Sequence, residues 1–288
     1  MSNSTALSPR YPKSFKPLAG VRVLSLALNL PGPAAAARLR AFGAEVHKIE
    51  PPAGDPMRLL SQSLYRAMHR GVTVQTLDLK TAHGQAVLHQ ALQASDLLLT
   101  AFRPAALGRL GLDKDTLAAR HPHLGAISIV GYPGRKARLP GHDLTYQAEV
   151  GLIDAARLPA TLLADMTGAL LVVEAAMGAM LQARVAGKGV CLDVALSDAA
   201  GFAALPRTLG MTTAGALLGG HLPGYAVYPC LDGLVAVAAL EPHFAEALAS
   251  TAGGRTRKHI ARWCKAHSAA ELEAIARQQD LPLKAWGG

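Results

Sequence analysis

Short apolar segments alternate with longer segments of helical spacing over residues 1–135 of the chain. The apolar segments are flanked by glycine, proline or asparagine, which is typical of buried strands. The predicted strands cover 21–27, 45–50, 72–79, 96–102 and 124–130, and predicted helices at 34–42 and 83–94 lie between them. A repeated strand, helix, strand order predicts an α/β fold, with a Rossmann-like parallel sheet and helices on both faces.

Beyond residue 140 the pattern becomes mainly helical, with predicted helices at 143–155 and 168–185. A strand at 191–196 leads into a helix near 197–209, and closely spaced glycines then indicate a linker. An Asp232-Gly233 turn between two apolar runs predicts a β-hairpin, and two or three short helices follow it. These patterns predict a flexible tail at 1–18, a large domain at 19–209 and, at 210–288, a linker, a small α+β domain and C-terminal helices.

The amino-acid composition indicates which kinds of ligand and which cellular location to expect. Half of the residues are apolar and 17% are charged, which indicates a globular chain. The net charge of +9 favours an anionic partner, and its dispersal without a basic run favours a phosphate-bearing small ligand over nucleic acid. Cys191, Cys230 and Cys264 are far apart, so we expect no disulfide framework and a cytoplasmic location. The polar N-terminal segment and the short apolar run at 168–183 predict neither a signal peptide nor a membrane span.

Several common site motifs are missing from the sequence. No G-x-G-x-x-G follows the first strand, and neither G-x-x-x-x-G-K-[ST] nor G-x-S-x-G occurs, which argues against nicotinamide, P-loop and hydrolase chemistry. The two histidines of His121-Pro122-His123 have no carboxylate at metal spacing, so we expect no metal site there.

Ionisable residues remain at three corners of the predicted fold. His142-Asp143 follows Pro140-Gly141 after the fifth strand, Asp165 precedes an apolar helix, and Glu241 lies between a strand and Pro242. A carboxylate near a helix N-terminus is favoured in its ionised form, which we expect for Asp165. Each of the two acids, Asp165 and Glu241, is also explained as a helix cap, so the residues alone leave both interpretations open.

Four collinear segments carry a family resemblance. They are PLAGVRVLSLALNLPGPAAAARLRAFGAEVHKIEPPAGDPMR at 17–58, the stretch with the DLK and FRP elements at 76–124, LLADMTGALL followed by AGKGVCLDVALSDA, and PGYAVYPCLDGLVAVAALEPHF at 223–244. Together the chain resembles the class III CoA-transferase family of the CaiB/BaiF type, and within it most closely the α-methylacyl-CoA racemase branch.

The resemblance implies roles for particular residues. Asp165 falls on the catalytic aspartate of the family, His142 on the histidine of the racemase branch and Glu241 on the glutamate that supports that histidine. A racemase needs a base on one face of the α-carbon and an acid on the other, which an imidazole and a carboxylate provide. In the transferase branch the aspartate instead attacks the thioester, and this alternative stays open. The residues implied for coenzyme A binding are Leu79, Lys80, Arg103, Gly141 and Asp143.

The resemblance also implies an interlocked homodimer that binds an acyl-CoA, with no metal and with neither nucleic acid nor membrane as partner. The chain departs from the family pattern at Pro51, where many racemases have an arginine, and in the segment after Asp165, Met166-Thr167-Gly168, where the family has a glycine-rich run. The C-terminal part is also short for the family. A third reading is therefore a non-catalytic CoA-binding relative.

Overall fold

A computed structural model describes residues 11–153 and 155–287 and divides the chain into two compact units, Met1–Ala204 and Leu205–Gly288. The predicted domain boundary at 209 lay slightly later, because a single helix was predicted over 197–209. Two helices occupy this region, and Pro206 explains the break, since proline cannot continue a helix beyond its first turn. The predicted tail at 1–18 lies outside the described residues up to residue 10, whereas Leu18 is buried and its N–H donates to the Phe42 carbonyl at 3.0 Å.

The first unit contains a six-stranded parallel sheet, as predicted. Its strands are β1 Arg22–Ser25, β2 Glu45–Glu50, β3 Thr73–Thr76, β4 Leu97–Thr100, β5 Gly125–Val130 and β6 Cys191–Ala195. They are ordered β3-β2-β1-β4-β5-β6, and every neighbouring pair is parallel. The chain runs outward from β1 through β2 to β3 and then returns to the other side of β1. The point between β1 and β4 is therefore where the strand order reverses.

Helices cover both faces of this sheet. They are α1 Pro31–Ala41, α2 Met57–Leu60, α3 Gln62–Met68, α4 Ala82–Gln93, α5 Pro104–Leu110, α6 Lys114–Arg120, α7 Asp143–Glu149, α8 Leu163–Ala186 and α9 Leu196–Ala203. In β4, Leu97 and Leu99 belong to one hydrophobic cluster with α1 and α8, while Leu98 belongs to another with α4, α5 and α6. Successive strand residues point to opposite faces, so the alternation shows that both faces are buried.

The helix α8 begins five residues earlier than the apolar pattern predicted, at Leu163 rather than Gly168, and so includes Asp165. By length and composition alone it is apolar enough to cross a membrane, with a mean hydropathy of 1.5. In the fold it packs against α1, α7, α9 and β5 through small residues such as Ala169 and Ala176. Its other face leaves Leu170, Leu181 and Val185 exposed.

The second unit is a small α+β domain with its own core. Its elements are α10 Leu205–Thr208, β7 Tyr225–Pro229, β8 Gly233–Ala238, α11 Pro242–Ala252, α12 Arg257–Lys265, α13 Ala269–Gln279 and β9 Leu283–Gly287. The predicted hairpin is β7 and β8, and β9 adds a third antiparallel strand that the pattern did not predict. Trp263 lies in α12 as expected and packs in the core of this unit. The three cysteines are free.

Candidate active site

A cavity of about 270 Å³ lies where the strand order reverses, at the carboxyl ends of β1, β4 and β5. It is lined by Leu28, Asn29, Pro31, Ala101, Phe102, Arg103, Ile129, Val130, Gly131, Ala137, Leu139, Pro140, Gly141, His142, Tyr146, Asp165 and Leu196. Parallel α/β sheets bind ligands in this position. Of the residues that the sequence singled out, His142, Asp165, Arg103 and Gly141 are therefore brought together here, although they are far apart in the chain.

Helix N-termini surround the cavity. The helix α1 begins at Pro31, α5 follows Arg103, α7 follows His142 and α8 carries Asp165 in its first turn. The positive ends of these helix dipoles therefore lie beside the same cavity, which favours an anionic group. The arrangement follows from the topology, because the helix after each strand begins at the carboxyl edge of the sheet.

Asp165 is the perturbed acid of this cavity. Burial, and to a smaller extent the negative charge of Asp143, together raise its pKa from 3.8 to about 7. The expectation that the helix N-terminus favours the ionised form is therefore wrong, since desolvation and a like charge outweigh the dipole. Nor is Asp165 the helix cap, because Leu162 occupies that position. Near neutral pH the carboxyl group exists in both forms, as a general acid–base catalyst requires.

The side chain of Asp143 is occupied within the protein. Its Oδ1 accepts the Asp165 backbone N–H at 3.0 Å, and its Oδ2 accepts from Gln147 at 2.5 Å. Asp143 is 4% exposed and does not line the cavity, so it supports the first turn of α8 rather than opening to a ligand. The backbone N–H of Asp165 is consequently already used within the protein. The implied role of Asp143 in coenzyme A binding stays a prediction.

His142 presents an exposed ring at the rim of the cavity. It precedes α7, where Thr145 anchors its backbone: the His142 N–H donates to Thr145 Oγ1 at 3.1 Å, and that hydroxyl donates to the His142 carbonyl at 2.7 Å. The backbone is therefore held while the imidazole stays accessible from the cavity.

Tyr146 lies in the same cavity and was not singled out from the sequence. It is 1% exposed, and a Cβ built on Gly131 or Gly141 would come within 2.5 or 2.7 Å of its Oη. Both positions consequently require glycine to admit the phenol. Burial raises the pKa of Tyr146 to about 12, with smaller contributions from Tyr132 and Asp165, so its hydroxyl stays protonated. Its spacing of four residues from His142 on one helix was the only signal in the sequence.

A buried ion network supports the loop that carries Leu28 and Asn29. Asp55 Oδ1 accepts the backbone N–H of Asn29 at 3.0 Å, and its Oδ2 pairs with Lys48 Nζ at 2.5 Å. Asn29 has a positive φ of 65°, a conformation that persists where the surroundings enforce it. Lys48 uses its remaining donors on Glu50 at 3.1 Å and on His69 Nε2 at 2.9 Å.

The same network contains three side chains with the spacing of metal ligands. Glu50, Asp55 and His69 place one ligand atom each within 4.8 Å of one another. The ammonium of Lys48 already contacts all three, so a cation occupies the position that a metal ion would take. His69 Nδ1 lies 2.7 Å from the Tyr65 carbonyl, which identifies Nδ1 as the donor and Nε2 as the acceptor from Lys48. Burial lowers the pKa of His69, consistent with this neutral ring.

A second cavity of about 590 Å³ adjoins the first along the same edge of the sheet, and Phe102 lines both. Its lining is mostly apolar, and comprises Ile49, Pro51, Leu77, Asp78, Leu79, Lys80, Gln85, Phe102, Ala106, Arg109 and Leu110. Lys80 and Arg109 are exposed at its margin. Leu79 and Lys80 thus lie in the neighbouring cavity rather than beside Asp165. A shallower depression of about 840 Å³ at the amino ends of β1 and β2 contains none of the predicted site residues.

Comparison with known sequences gives the family. The profile of CoA-transferase family III matches residues 18–286, nearly the whole chain. The chain belongs to CoA-transferase family III. Within that family, it is 32% identical to the α-methylacyl-CoA racemase of Homo sapiens over 251 residues, which are 80% of this chain and 63% of the relative.

Transferases of the family are equally similar. The cinnamoyl-CoA:phenyllactate CoA-transferase of Clostridium sporogenes is 33% identical over 202 residues, 63% of this chain and 49% of the relative. The succinate–glutarate CoA-transferase of Agrobacterium fabrum is 29% identical over 256 residues, covering 79% and 64%. The chain thus spans about half to two thirds of these relatives, and identity of this order does not separate racemase from transferase.

Solved structures confirm the fold. A CaiB/BaiF family protein from Brucella suis aligns with a TM-score of 0.81 at 22% identity, over 95% of this chain and 84% of that one. A hypothetical protein from Mycobacterium tuberculosis aligns with a TM-score of 0.80 at 25% identity and the same coverage. The parallel sheet with a small antiparallel sheet is therefore the family III architecture.

Glu241, the third residue that the family resemblance implied, lies in the second unit of this family III chain. It is the residue before α11, which begins at Pro242, and its side chain is exposed and makes no capping hydrogen bond. Glu241 therefore occupies the helix-cap position that was predicted for it, but its side chain makes no capping hydrogen bond. Its support of His142 stays a prediction.

Proposed function

We propose that this family III protein is an acyl-CoA epimerase that inverts the carbon next to the thioester carbonyl of a 2-methylacyl-CoA. The observation that carries the proposal is one cavity lined by an accessible imidazole, His142, and by a carboxyl group, Asp165, whose pKa is raised to about 7. A two-base inversion requires two proton-transferring side chains beside the substrate, and an imidazole and a carboxyl group are both suited to that role.

In the proposed reaction the Asp165 carboxylate removes the α-proton from one face. The C–H electron pair moves into the thioester and leaves an enolate, and the imidazolium of His142 then delivers a proton to the opposite face. The other enantiomer reacts with the roles exchanged. The positive ends of the α1 and α8 dipoles lie beside the cavity and favour the negative charge that develops on the enolate oxygen, a kind of electrostatic stabilisation that often contributes most to catalysis.

The second cavity is our proposed location for the nucleotide part of coenzyme A. Its apolar lining suits a heteroaromatic base, while Lys80 and Arg109 at its margin, with Arg103 at the first cavity, suit phosphate groups. Phe102 lines both cavities, so a pantetheine arm passing over it connects the base to the thioester beside Asp165. The net charge of +9 favours the approach of such an anionic substrate.

A CoA-transferase is the alternative function, in which Asp165 attacks the thioester carbon and expels the CoA thiolate to form a mixed anhydride. The transferases among the relatives support this alternative. The raised pKa of Asp165 does not separate the two functions, because a base and a nucleophile both need the ionised carboxyl group. The accessible imidazole of His142 in the same cavity favours the epimerase, because an aspartyl nucleophile has no need of a second proton carrier. Hydroxylamine traps an anhydride, so a hydroxamate at Asp165 would replace the epimerase assignment with the transferase.

Replacing His142 separates these functions. We expect His142→Ala to reduce exchange of the α-proton of 2-methylacyl-CoA with deuterated water by about 10²- to 10⁴-fold, because one of the two proton carriers is lost. Exchange followed by mass spectrometry measures this, and His83→Ala, which removes an exposed histidine on α4, is the matched control.

Unchanged exchange in His142→Ala would refute the two-base mechanism. A wild-type chain that binds CoA but neither exchanges the proton nor forms a hydroxamate would be the non-catalytic relative. A chain whose melting temperature does not respond to CoA would exclude all three functions.

We also propose that the protein acts as a homodimer. Leu170, Leu181 and Val185 line one side of α8, where they are 49%, 62% and 91% exposed, and the neighbouring Phe202 is 62% exposed. Exposed apolar residues grouped on one helix face mark an interaction surface. We expect Leu181→Glu/Val185→Glu to convert the dimer to a monomer in light scattering, whereas Arg184→Glu on the same turn is the control. A wild-type monomer would refute the proposal.

A further inference from the structure

Two histidines that the proposed reaction does not use contact each other in the first unit. His89 lies on α4, and His121 follows the last residue of α6. His89 Nδ1 and His121 Nε2 are 3.3 Å apart, the ring centres are 5.6 Å apart, and the ring planes differ by 13°. The rings are therefore nearly coplanar and face each other through these nitrogens.

This geometry identifies a hydrogen bond rather than a metal chelate. In coplanar rings that face each other the nitrogen lone pairs point at one another, whereas two ligands of a tetrahedral metal converge on a point to one side. No third histidine, cysteine or carboxylate among the described residues has a ligand atom within 4.8 Å of both nitrogens. The contact consequently needs one proton between the two rings.

The neighbouring arginine determines where the protons are. Arg120 Nη1 lies 3.1 Å from His89 Nε2, and a guanidinium only donates, so His89 Nε2 carries no proton. His89 Nδ1 therefore carries its proton and donates it to His121 Nε2. His121 in turn carries its proton on Nδ1, which is buried and has no partner among the residues that the structure describes. Both rings must be neutral for this chain of bonds to exist.

Protonation breaks the chain at either ring. A proton on His89 Nε2 would face the Arg120 guanidinium, and a proton on His121 Nε2 would face the N–H of His89. The charged and titratable neighbours are Arg120 and His123, and no carboxylate among the described residues bonds to either ring. Burial lowers the pKa of both histidines, and the nearby positive charge of Arg120 lowers it further.

Leu88, the residue before His89, belongs to a hydrophobic cluster that also contains lining residues of the second cavity. Leu88 and Leu92 of α4 pack in this cluster with Leu107 and Leu117 of α5 and α6. Its other members include Leu77, Leu79, Phe102 and Leu110, which line the cavity itself. The separation of α4 from α6 is therefore connected to the shape of the cavity through contiguous packed side chains.

We propose that His89 and His121 form a proton-operated latch: neutral, they tie α4 to the end of α6 together with Arg120, and protonation of either ring removes one hydrogen bond of this tie and weakens ligand binding in the second cavity. The ligand part of this regulation rests on the proposed coenzyme A function, whereas the latch itself does not. Below pH about 6.5 the unfolded chain binds protons that these two histidines do not bind in the folded chain. The free energy of unfolding therefore decreases as the pH is lowered.

The test uses the full-length chain and a variant that keeps the hydrogen bond but cannot titrate. Asparagine presents an amide N–H near the position of Nδ1, and glutamine presents an oxygen near that of Nε2, so the variant is His89→Asn/His121→Gln. Between pH about 7.5 and about 5.5 we expect the wild-type melting temperature to fall about 3 °C further than that of the variant. Over the same interval free CoA should lose about five-fold more affinity for the wild type.

Equal pH responses of the wild type and the variant would overturn the latch. His83→Gln, an exposed histidine on the same helix, is the control and should behave like the wild type. If the double variant does not fold, proton NMR titration of the wild type decides: two rings titrating below His83 support the latch, and their absence refutes it. Failure of CoA to bind at either pH would refute the proposed function. The comparison of wild-type and variant melting temperatures would still test the latch in that case.

Discussion

Asp165→Asn abolishes exchange of the α-proton and at the same time stabilises the protein at alkaline pH. We expect the exchange rate to fall by about 10³-fold or more, because an amide neither removes nor delivers a proton. The affinity for CoA should change little, since the substituted amide keeps the size of the side chain and the N–H bond to Asp143 comes from the backbone. Isotope exchange and a CoA titration measure the two effects separately.

The gain in stability follows from the raised pKa. A carboxyl group whose pKa rises from 3.8 to about 7 on folding favours the folded state at acidic pH, and that contribution is lost as the pH rises through about 7. The folded protein therefore holds an unfavourable carboxylate at pH about 8. Because Asp165 is only partly buried, we expect removal of this charge to stabilise by about 1 to 2 kcal/mol, less than the full shift would give.

Thermal unfolding at two pH values checks this prediction. The melting temperature of Asp165→Asn should exceed that of the wild type at pH about 8 and match it at pH about 4. Asp115→Asn is the control, because Asp115 is an exposed acid in the first turn of α6, where its loss should destabilise slightly. Stabilisation that is equal at both pH values would show that the charge of Asp165 is not the cause.

Lys48→Met is expected to be the most destabilising of the substitutions considered. It leaves Glu50 and Asp55 buried, each 1% exposed, without the cation that lies between them. Breaking a buried ion network by removing one partner costs about 3 to 5 kcal/mol. The loop at Asn29 should loosen as well, because Asp55 holds both Lys48 and the Asn29 N–H.

Urea unfolding measures this loss. Lys114→Met is the matched control, since Lys114 forms an ion pair of 2.9 Å with Asp193 on the surface and should cost less than about 1 kcal/mol. Adding Glu50→Gln to Lys48→Met should recover part of the stability, because it removes one of the two buried carboxylates that Lys48 neutralises. An equal loss of unfolding free energy in Lys48→Met and Lys114→Met would show that Lys48 does not hold the buried carboxylates together.

The local elements followed from the sequence because their signals are local. Residues 45–50 are followed directly by two prolines, and they form β2 with the predicted bounds. The helix predicted at 34–42 begins three residues earlier, at Pro31, because proline is well suited to the first helical position. The strand β9 was missed because a short segment after a helix becomes a strand only when β8 offers it an edge.

The sequence predicted residues that line the candidate site better than it predicted their ionisation. His142 and Asp165 were singled out from family motifs, and both line one cavity. The ionisation of Asp165 was misjudged because the helix terminus is visible in the sequence, whereas burial and the approach of Asp143 are not. Tyr146 escaped notice for the same reason, since only the fold places its ring against Gly131 and Gly141.

The sequence by itself determined the parallel α/β sheet and the family, because periodicity and motif order are properties of the chain. Tertiary structure alone decided which charges are buried and what they face. It placed Lys48 among three acceptors and His89 against His121. A pKa depends on distances of a few ångströms between residues that are remote in sequence, and folding sets those distances.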